Sequence, residues 1–289
     1  MIRKARIFLE MIKFEHTVFA LPFAFMGALL GSVSVNGHLP SWAQIGWIIV
    51  AMFGARSAAM GLNRLIDKTI DKKNPRTAMR AIPAGLLGSK EVILFVVISF
   101  FLLFLGASQL NPLSVKLLPI AVFMLVIYSY TKRFTWLCHV VLGFTIALAP
   151  LGGWVAVTGT VNWTSLLFYF SVAFWIAGFD VIYACQDEEF DREEKLFSIP
   201  SRFGIANALI IARFMHLVPA AGLLALGIIT GLSWLYLTGA IVAIGLLFYE
   251  HKIVTPTNLS RLNTAFFTLN GALSIVMFVF TLLDLVVFS

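Results

Sequence analysis

Charge is scarce in this 289-residue chain. Asp, Glu, Lys and Arg make up 12% of it and hydrophobic residues 60%, whereas soluble domains carry about a quarter charged residues. That balance excludes a soluble globular domain. Cysteine is scarcer still: Cys138 and Cys185 are the two present, and they form neither a disulfide framework nor a CxxC metal pair. The short alternating segments of a membrane β-barrel are missing too. The apolar runs instead extend over roughly 18–25 residues, enough for a helix to cross the hydrocarbon core. An all-α integral membrane protein is what these absences leave.

Nine spans are expected, at about 17–36, 42–62, 92–109, 113–130, 137–157, 163–184, 206–230, 232–249 and 264–288. Ahead of them, residues 2–15 carry Ile2, Ile7, Phe8, Met11, Ile12 and Phe14 among charges, the pattern of an interfacial helix, with Lys13 snorkelling to the surface. The basic N-terminus lacks a small-residue cleavage site, so the first apolar run reads as a retained span. No linker or low-complexity segment interrupts the chain, which therefore reads as one domain over 1–289.

Lys and Arg exceed Asp and Glu by 21 to 14, a net charge of +7. The excess sits in the N-terminus and the connections at 63–91, 131–136, 185–205 and 250–263, while the alternate connections have almost none. This is the bias of membrane topology and does not call for nucleic acid. It predicts a cytoplasmic N-terminus and charged loops, with the C-terminus outside, in a bacterial cytoplasmic (inner) membrane.

Acidic residues are the rarest charged class, and nine of the fourteen fall at 67–71 or 180–194. In NRLIDKTIDKK, Asn63, Asp67 and Asp71 recur every fourth position, which on a helix makes one oxygen-bearing stripe. The second cluster, DVIYACQDEEFD, aligns Asp180, Tyr183, Asp187 and Asp191. Asp187 and Asp191 stand 120 positions after Asp67 and Asp71, and IPAG at 82–85 is echoed by IPSRFG at 199–204. Two parallel repeats of four helices plus a ninth explain the spacing, and sites often form between such halves.

One Asp-x-x-x-Asp at a helix end is an ordinary solvated terminus; two in matching repeat positions point to a site. Carboxylate and amide oxygens suit a hard cation such as Mg²⁺, which is often held by few carboxylates together with phosphate oxygens. Lys68, Lys72, Lys73, Arg76 and Arg80 follow the first ladder, Lys132 and Arg133 occupy a short connection, and Arg202 follows the second ladder. Such cations either set topology or receive phosphate, Arg by bidentate contact and Lys as a point charge. Ion sites on an apolar bundle suggest a diphosphate head with a hydrocarbon tail. Phe168, Tyr169, Phe170, Phe174, Trp175 and Phe179 supply aromatic faces for packing, for the tail or for a carbocation. Arg56 lies inside the second span, where an unpaired cation costs about 2.5–3.5 kcal/mol, so it must face an acidic partner or an anionic substrate. His16, His139 and His216 show no ligand spacing and read as packing residues.

Taken together, Asn63-x-x-x-Asp67-x-x-x-Asp71, Asp180-x-x-Tyr183-x-x-x-Asp187-x-x-x-Asp191 and SYTKRFT at 129–135 resemble the UbiA-type intramembrane aromatic prenyltransferases. The resemblance spans essentially the whole chain and is strongest toward bacterial 4-hydroxybenzoate polyprenyltransferases. Enzymes of the futalosine route to menaquinone share the same motifs. It implies nine helices around a central cavity and a Mg²⁺ cofactor held by Asn63, Asp67, Asp71, Asp187 and Asp191. Lys72, Arg76, Lys132, Arg133 and Arg202 would bind diphosphate, with Arg133 and the four aspartates catalytic. Asp180, Tyr183 and Arg56 would face the aromatic substrate or the cation. The substrates would be a polyprenyl diphosphate and a small aromatic acceptor (4-hydroxybenzoate, or a futalosine-type or naphthoate compound). The lipid bilayer is the other partner, and no obligate protein partner is expected. A transporter is the competing class, but its charges would line the spans on both faces.

Overall fold

A computed structural model of the chain describes residues 2–12 and 17–288. The expectations for Lys13, Phe14 and His16 lie outside the described residues. The described residues form thirteen α-helices in turn: α1 (Ile2–Met11), α2 (Thr17–Gly31), α3 (Trp42–Ile66), α4 (Lys68–Lys73), α5 (Ser89–Ser108), α6 (Pro112–Thr131), α7 (Cys138–Ile146), α8 (Leu148–Thr158), α9 (Trp163–Ala184), α10 (Glu188–Glu193), α11 (Ile199–Ile229), α12 (Trp234–Ile253) and α13 (Asn270–Phe288). The described residues form no β-strand, only an isolated bridge between Thr255 and Asn258.

Among the described residues, eight helices are long and apolar enough to cross a membrane, with α7 and α8 counted as one span. Each overlaps an expected span, with Trp163–Glu193 and Ile199–Ile229 running beyond the expected 163–184 and 206–230. Where the first span was expected stands a shorter apolar stretch, Leu21–Asn36, whose end winds as π-helix over Ser32–Asn36. The fold is all-helical and integral to the membrane.

Breaks within the expected spans have local causes. Pro150 has no N–H for the carbonyl four residues back and its ring clashes there; the span at 138–158 accordingly divides at Ala147. Gly204, at φ 77° and ψ 161°, interrupts α11 after its first turn, a conformation open to glycine. Helix starts are capped as their residue types dictate. Asn162 and Ser165 make reciprocal bonds at the start of α9, and Ser198 and Ser201 do so at α11. The start of α12 borrows a carboxylate from α13: Asp284 accepts from the Ser233 amide at 3.0 Å, the Tyr236 amide at 2.9 Å and the Ser233 hydroxyl. That arrangement satisfies orphan donors of the first turn.

The chain forms two compact units. The first holds α1 and α3 to α6. In it α3 lies against α5, so closely that a Cβ on Gly106 would stand 2.7 Å from the Ala51 amide nitrogen. Beside them Ile7, Phe8, Met11 and Ile12 of the expected interfacial helix pack on Leu87, Val92 and Val96. The second unit holds α2 and α7 to α13 around a core that includes Phe23, Trp154, Phe168, Trp175, Tyr236 and Met277. There α2 meets α8 backbone to backbone, since a Cβ on Gly27 would fall 2.0 Å from the Pro150 carbonyl oxygen; close approach through small residues is the usual device of membrane helices. The compact units therefore do not follow the repeat boundary, because α2 packs with the later helices.

One expectation needs correction. Glu250 was placed in a charged connection, but α12 continues to Ile253 and Glu250 is buried there, accepting a 3.0 Å hydrogen bond from Asn270 Nδ2. Phe168 and Trp175, expected for packing, for the tail or for a carbocation, take the packing role in the core, and Trp175 Nε1 donates to Asn270 Oδ1 at 2.7 Å. A buried polar group needs such a partner.

Candidate active site

The first ladder does not lie on one continuous helix. α3 ends at Ile66, and Asp67, at φ −92° and ψ 3°, stands as the N-cap of the six-residue α4. Backbone continuity is kept, because the Asp67 amide donates to the Asn63 carbonyl at 2.9 Å and the Asp71 amide to the Asp67 carbonyl at 2.8 Å. The three side chains thus stay about one turn apart across the break.

Burial is nearly complete for both carboxylates, with Asp67 1% and Asp71 3% exposed. Asn63 Nδ2 donates to Asp67 Oδ2 at 3.0 Å and to Ser129 Oγ at 3.3 Å, while its Oδ1 accepts from Arg64 at 3.4 Å. Asn63 therefore orders Asp67, and its amide oxygen turns toward Arg64. Arg80 Nη1 pairs with Asp71 Oδ1 at 2.7 Å, and the Thr77 hydroxyl donates to the Asp71 carbonyl. Asp71 Oδ2 is buried with no hydrogen-bond partner among the described residues. Lys72, Lys73 and Arg76 stand exposed beside this pair.

The second ladder repeats the break. α9 ends at Ala184, a 3₁₀ turn covers Cys185–Asp187, and Asp187, at φ −103° and ψ 7°, caps the six-residue α10. Asp187 and Asp191 are half-buried. Ser198 lies within hydrogen-bonding reach of Asp191, and Asp187, Lys132 and His139 act on it electrostatically. Lys132 is tied to the same region by its backbone, whose carbonyl accepts from the Phe197 amide at 2.7 Å. Glu188 and Arg192 form an ion pair on α10. Tyr183 stacks on Phe266 with centroids 4.0 Å apart and stands edge-on to Phe267.

The remaining predicted residues take different positions. Arg133 is half-buried next to Lys132, and Arg56 is half-buried within α3. Arg202 is exposed and lies over the Phe203 ring at 5.9 Å. Two partners escape the sequence reading. Arg80 was read among the phosphate cations, yet it closes on Asp71 across nine residues. His139, read as packing, places Nδ1 2.7 Å from Asp180 Oδ2; this partner of a motif residue is 41 positions away, with no spacing signal to reveal it.

Among the described residues, no three His, Cys, Asp or Glu side chains are gathered into a self-contained metal cluster. Oxygen-rich pairs that leave coordination positions to phosphate and water are characteristic of Mg²⁺.

Residues 20–278 match the UbiA prenyltransferase family over most of the chain. The chain belongs to the UbiA prenyltransferase family. Similar curated proteins include the 4-hydroxybenzoate octaprenyltransferase of Vibrio campbellii, 30% identical over 254 residues, covering 87% of this chain and 88% of that one. Its counterpart in Shewanella pealeana is 27% identical over 259 residues, covering 90% and 89%. Among solved structures, the apo UbiA homolog from Aeropyrum pernix K1 superposes on this UbiA-family chain with a TM-score of 0.84 at 30% identity, covering 93% of this chain and 98% of that one. The UbiA homolog from Archaeoglobus fulgidus bound to GPP and Mg²⁺ shares the fold, with a TM-score of 0.75 at 16% identity and coverage of 97% and 100%. The UbiA-family chain is accordingly a membrane prenyltransferase.

Proposed function

We propose that this protein is a Mg²⁺-dependent polyprenyltransferase that joins the chain of a polyprenyl diphosphate to a small aromatic acceptor, 4-hydroxybenzoate in the first instance, for quinone biosynthesis. The carrying observation is the duplicated break, in which Asp67 and Asp187 cap matching six-residue helices that each bear a second aspartate. The names of the curated relatives support the acceptor, and the Mg²⁺ and GPP bound to the Archaeoglobus homolog support the donor and the ion.

In this reading Asp67, Asp71, Asp187 and Asp191 hold Mg²⁺, and Asn63 keeps Asp67 in place. The buried, unpartnered Oδ2 of Asp71 fits such an ion, since an uncompensated carboxylate oxygen in a dry site is costly. Bound Mg²⁺ neutralises the charge that develops on a departing diphosphate. Lys72, Arg76, Lys132, Arg133 and Arg202 receive the diphosphate oxygens, Arg by paired contacts and Lys as a point charge. The allylic C–O bond breaks with its electron pair leaving on diphosphate. A ring carbon of the acceptor then bonds to the allylic carbon, and loss of the ring proton restores aromaticity. Tyr183, held face-on to Phe266, offers a π surface to the cationic carbon. Arg56 anchors the acceptor carboxylate from within α3.

The N-terminus and both aspartate motifs belong on the cytoplasmic side of the inner membrane, with the C-terminus outside, on the strength of the cation asymmetry. Single-cysteine labelling from each side tests that orientation. The function is tested with purified protein in nanodiscs, a labelled polyprenyl diphosphate and a panel of 4-hydroxybenzoate, a dihydroxynaphthoate and a futalosine-type compound, with Mg²⁺ or with chelator. Mg²⁺-dependent transfer to 4-hydroxybenzoate above the others is expected. Transfer only to another acceptor reassigns the substrate, and flux across liposomes without transfer overturns the enzyme.

A further inference from the structure

His139 opens the first turn of α7, and its side chain is 5% exposed. Gly143, one turn further along the same face, is what allows α7 to lie so near α9. A Cβ there would stand 2.2 Å from the Ala173 carbonyl oxygen and 3.0 Å from the Ala177 amide nitrogen. This antiparallel approach carries His139 to Asp180, where Nδ1 and Oδ2 are 2.7 Å apart. An ionised carboxylate only accepts hydrogen bonds, so Nδ1 carries the proton that joins them. His139 Nε2 is buried with no hydrogen-bond partner among the described residues. Cys138 is the imidazole's other polar neighbour, and the ring's link to the motif runs through Asp180.

Asp180 keeps 22% of its side chain exposed. On α9 it lies three residues before Tyr183, so the two share a face, and Asp187 follows at the end of the 3₁₀ turn beyond the helix. At 1.5 Å per residue, Asp180 is about 10 Å deeper than the Asp187 mouth of the ladder. A buried ionic pair gives little net stability over apolar packing of the same shape. It also places a charge within a membrane span, where insertion is costly. Such a pair whose carboxylate side chain keeps 22% exposure suits a group that must be presented in one orientation.

We propose that His139 is a positioning residue for prenyl transfer: its Nδ1–H fixes one oxygen of Asp180, so that the other meets an O–H or N–H group on the aromatic acceptor. This rests on the prenyltransferase reading above, and it selects acceptors that carry a hydroxyl or amine, because a carboxylate there would meet Asp180 as a like charge. The diphosphate half of the site does not depend on it.

The test compares wild type with His139→Ala, His139→Phe and His139→Asn in nanodiscs. KM is measured separately for acceptor and polyprenyl diphosphate, and acceptor binding is measured by calorimetry without diphosphate. Loss of one charge-assisted hydrogen bond predicts about a tenfold rise in acceptor KM and Kd for His139→Ala and His139→Phe. The KM for diphosphate should stay within about twofold of wild type, as for an interaction made to one substrate only. His139→Asn, whose amide donates from nearly the Nδ1 position, should recover most of the loss. Unchanged acceptor constants in all three variants overturn the proposal. So does equal weakening for both substrates, or a well-folded His139→Asn as poor as His139→Ala. A wild-type protein that neither binds nor prenylates any acceptor overturns the functional reading, and this proposal with it.

Discussion

The two aspartate ladders share a backbone and differ in their partners. Asp67 and Asp187 cap their short helices at nearly the same dihedral angles, −92° and 3° against −103° and 7°. In the first ladder both carboxylates are buried and Asp71 is held by Arg80. In the second, Asp187 and Asp191 remain half-buried, with Ser198, Lys132 and His139 around Asp191. The first is assembled before any substrate arrives, with one carboxylate oxygen unmatched. The second is more open, and its charge is balanced by neighbours from other parts of the chain. The two ladders thus share the bend that presents the carboxylates, while each has its own surroundings.

Removing carboxylates tests the shared part of that comparison and carries the largest expected effect. Asp67→Ala and Asp187→Ala should each reduce prenyl transfer by about two to three orders of magnitude, the usual loss when electrostatic stabilisation of a leaving group is removed. Turnover of labelled polyprenyl diphosphate reads this directly. Near-normal turnover in either variant would break the equivalence of the ladders.

Arg80→Ala tests the difference between them. Breaking a buried pair by removing one partner costs about 3–5 kcal/mol, and Arg80's partial exposure to solvent should bring the loss to the low end or below. Thermal denaturation in detergent should show a clear drop for Arg80→Ala, much of it restored in Arg80→Ala/Asp71→Asn, where the orphaned charge is gone. Lys132→Ala, beside the open ladder, should leave the melting temperature close to wild type while weakening diphosphate binding. Equal destabilisation by both substitutions would remove the distinction.

A smaller effect separates the packing behind each ladder. Gly143→Ala drives a methyl group into the Ala173 carbonyl, whereas Gly61→Ala meets the end of the Val96 side chain at 2.7 Å. Because backbone cannot yield as a side chain can, Gly143→Ala should lower thermal stability by about 1–3 kcal/mol and Gly61→Ala by less. Gly152, with nothing within 4 Å of an added Cβ, is the neutral control. A reversal of this order, read by the same melts, would mean that α7 can slide on α9.

Much of the architecture was legible because hydrophobic length is a local property. The expected span at 163–184 coincides with α9, and the others agree within a few residues apart from the extended start of α11. The breaks at Asp67 and Asp187 were not legible, since neither proline nor glycine marks them and the backbone hydrogen bonds run on through the first. Glu250 was misplaced because an acidic residue at a helix end resembles a loop residue until it is seen buried and bonded by Asn270.

The sequence by itself determined that the chain is a helical membrane protein, that its acidic residues form two matched ladders, and that cations follow each. Those properties depend on run length, four-residue spacing and repetition, all of which act along the chain. Only the tertiary structure decided which partner each carboxylate received. Arg80 reaches Asp71 through turns that reverse the chain, and His139 reaches Asp180 because Gly143 lets two helices close to backbone contact. Pairing at such separations depends on packing in three dimensions, and residue spacing carries no record of it.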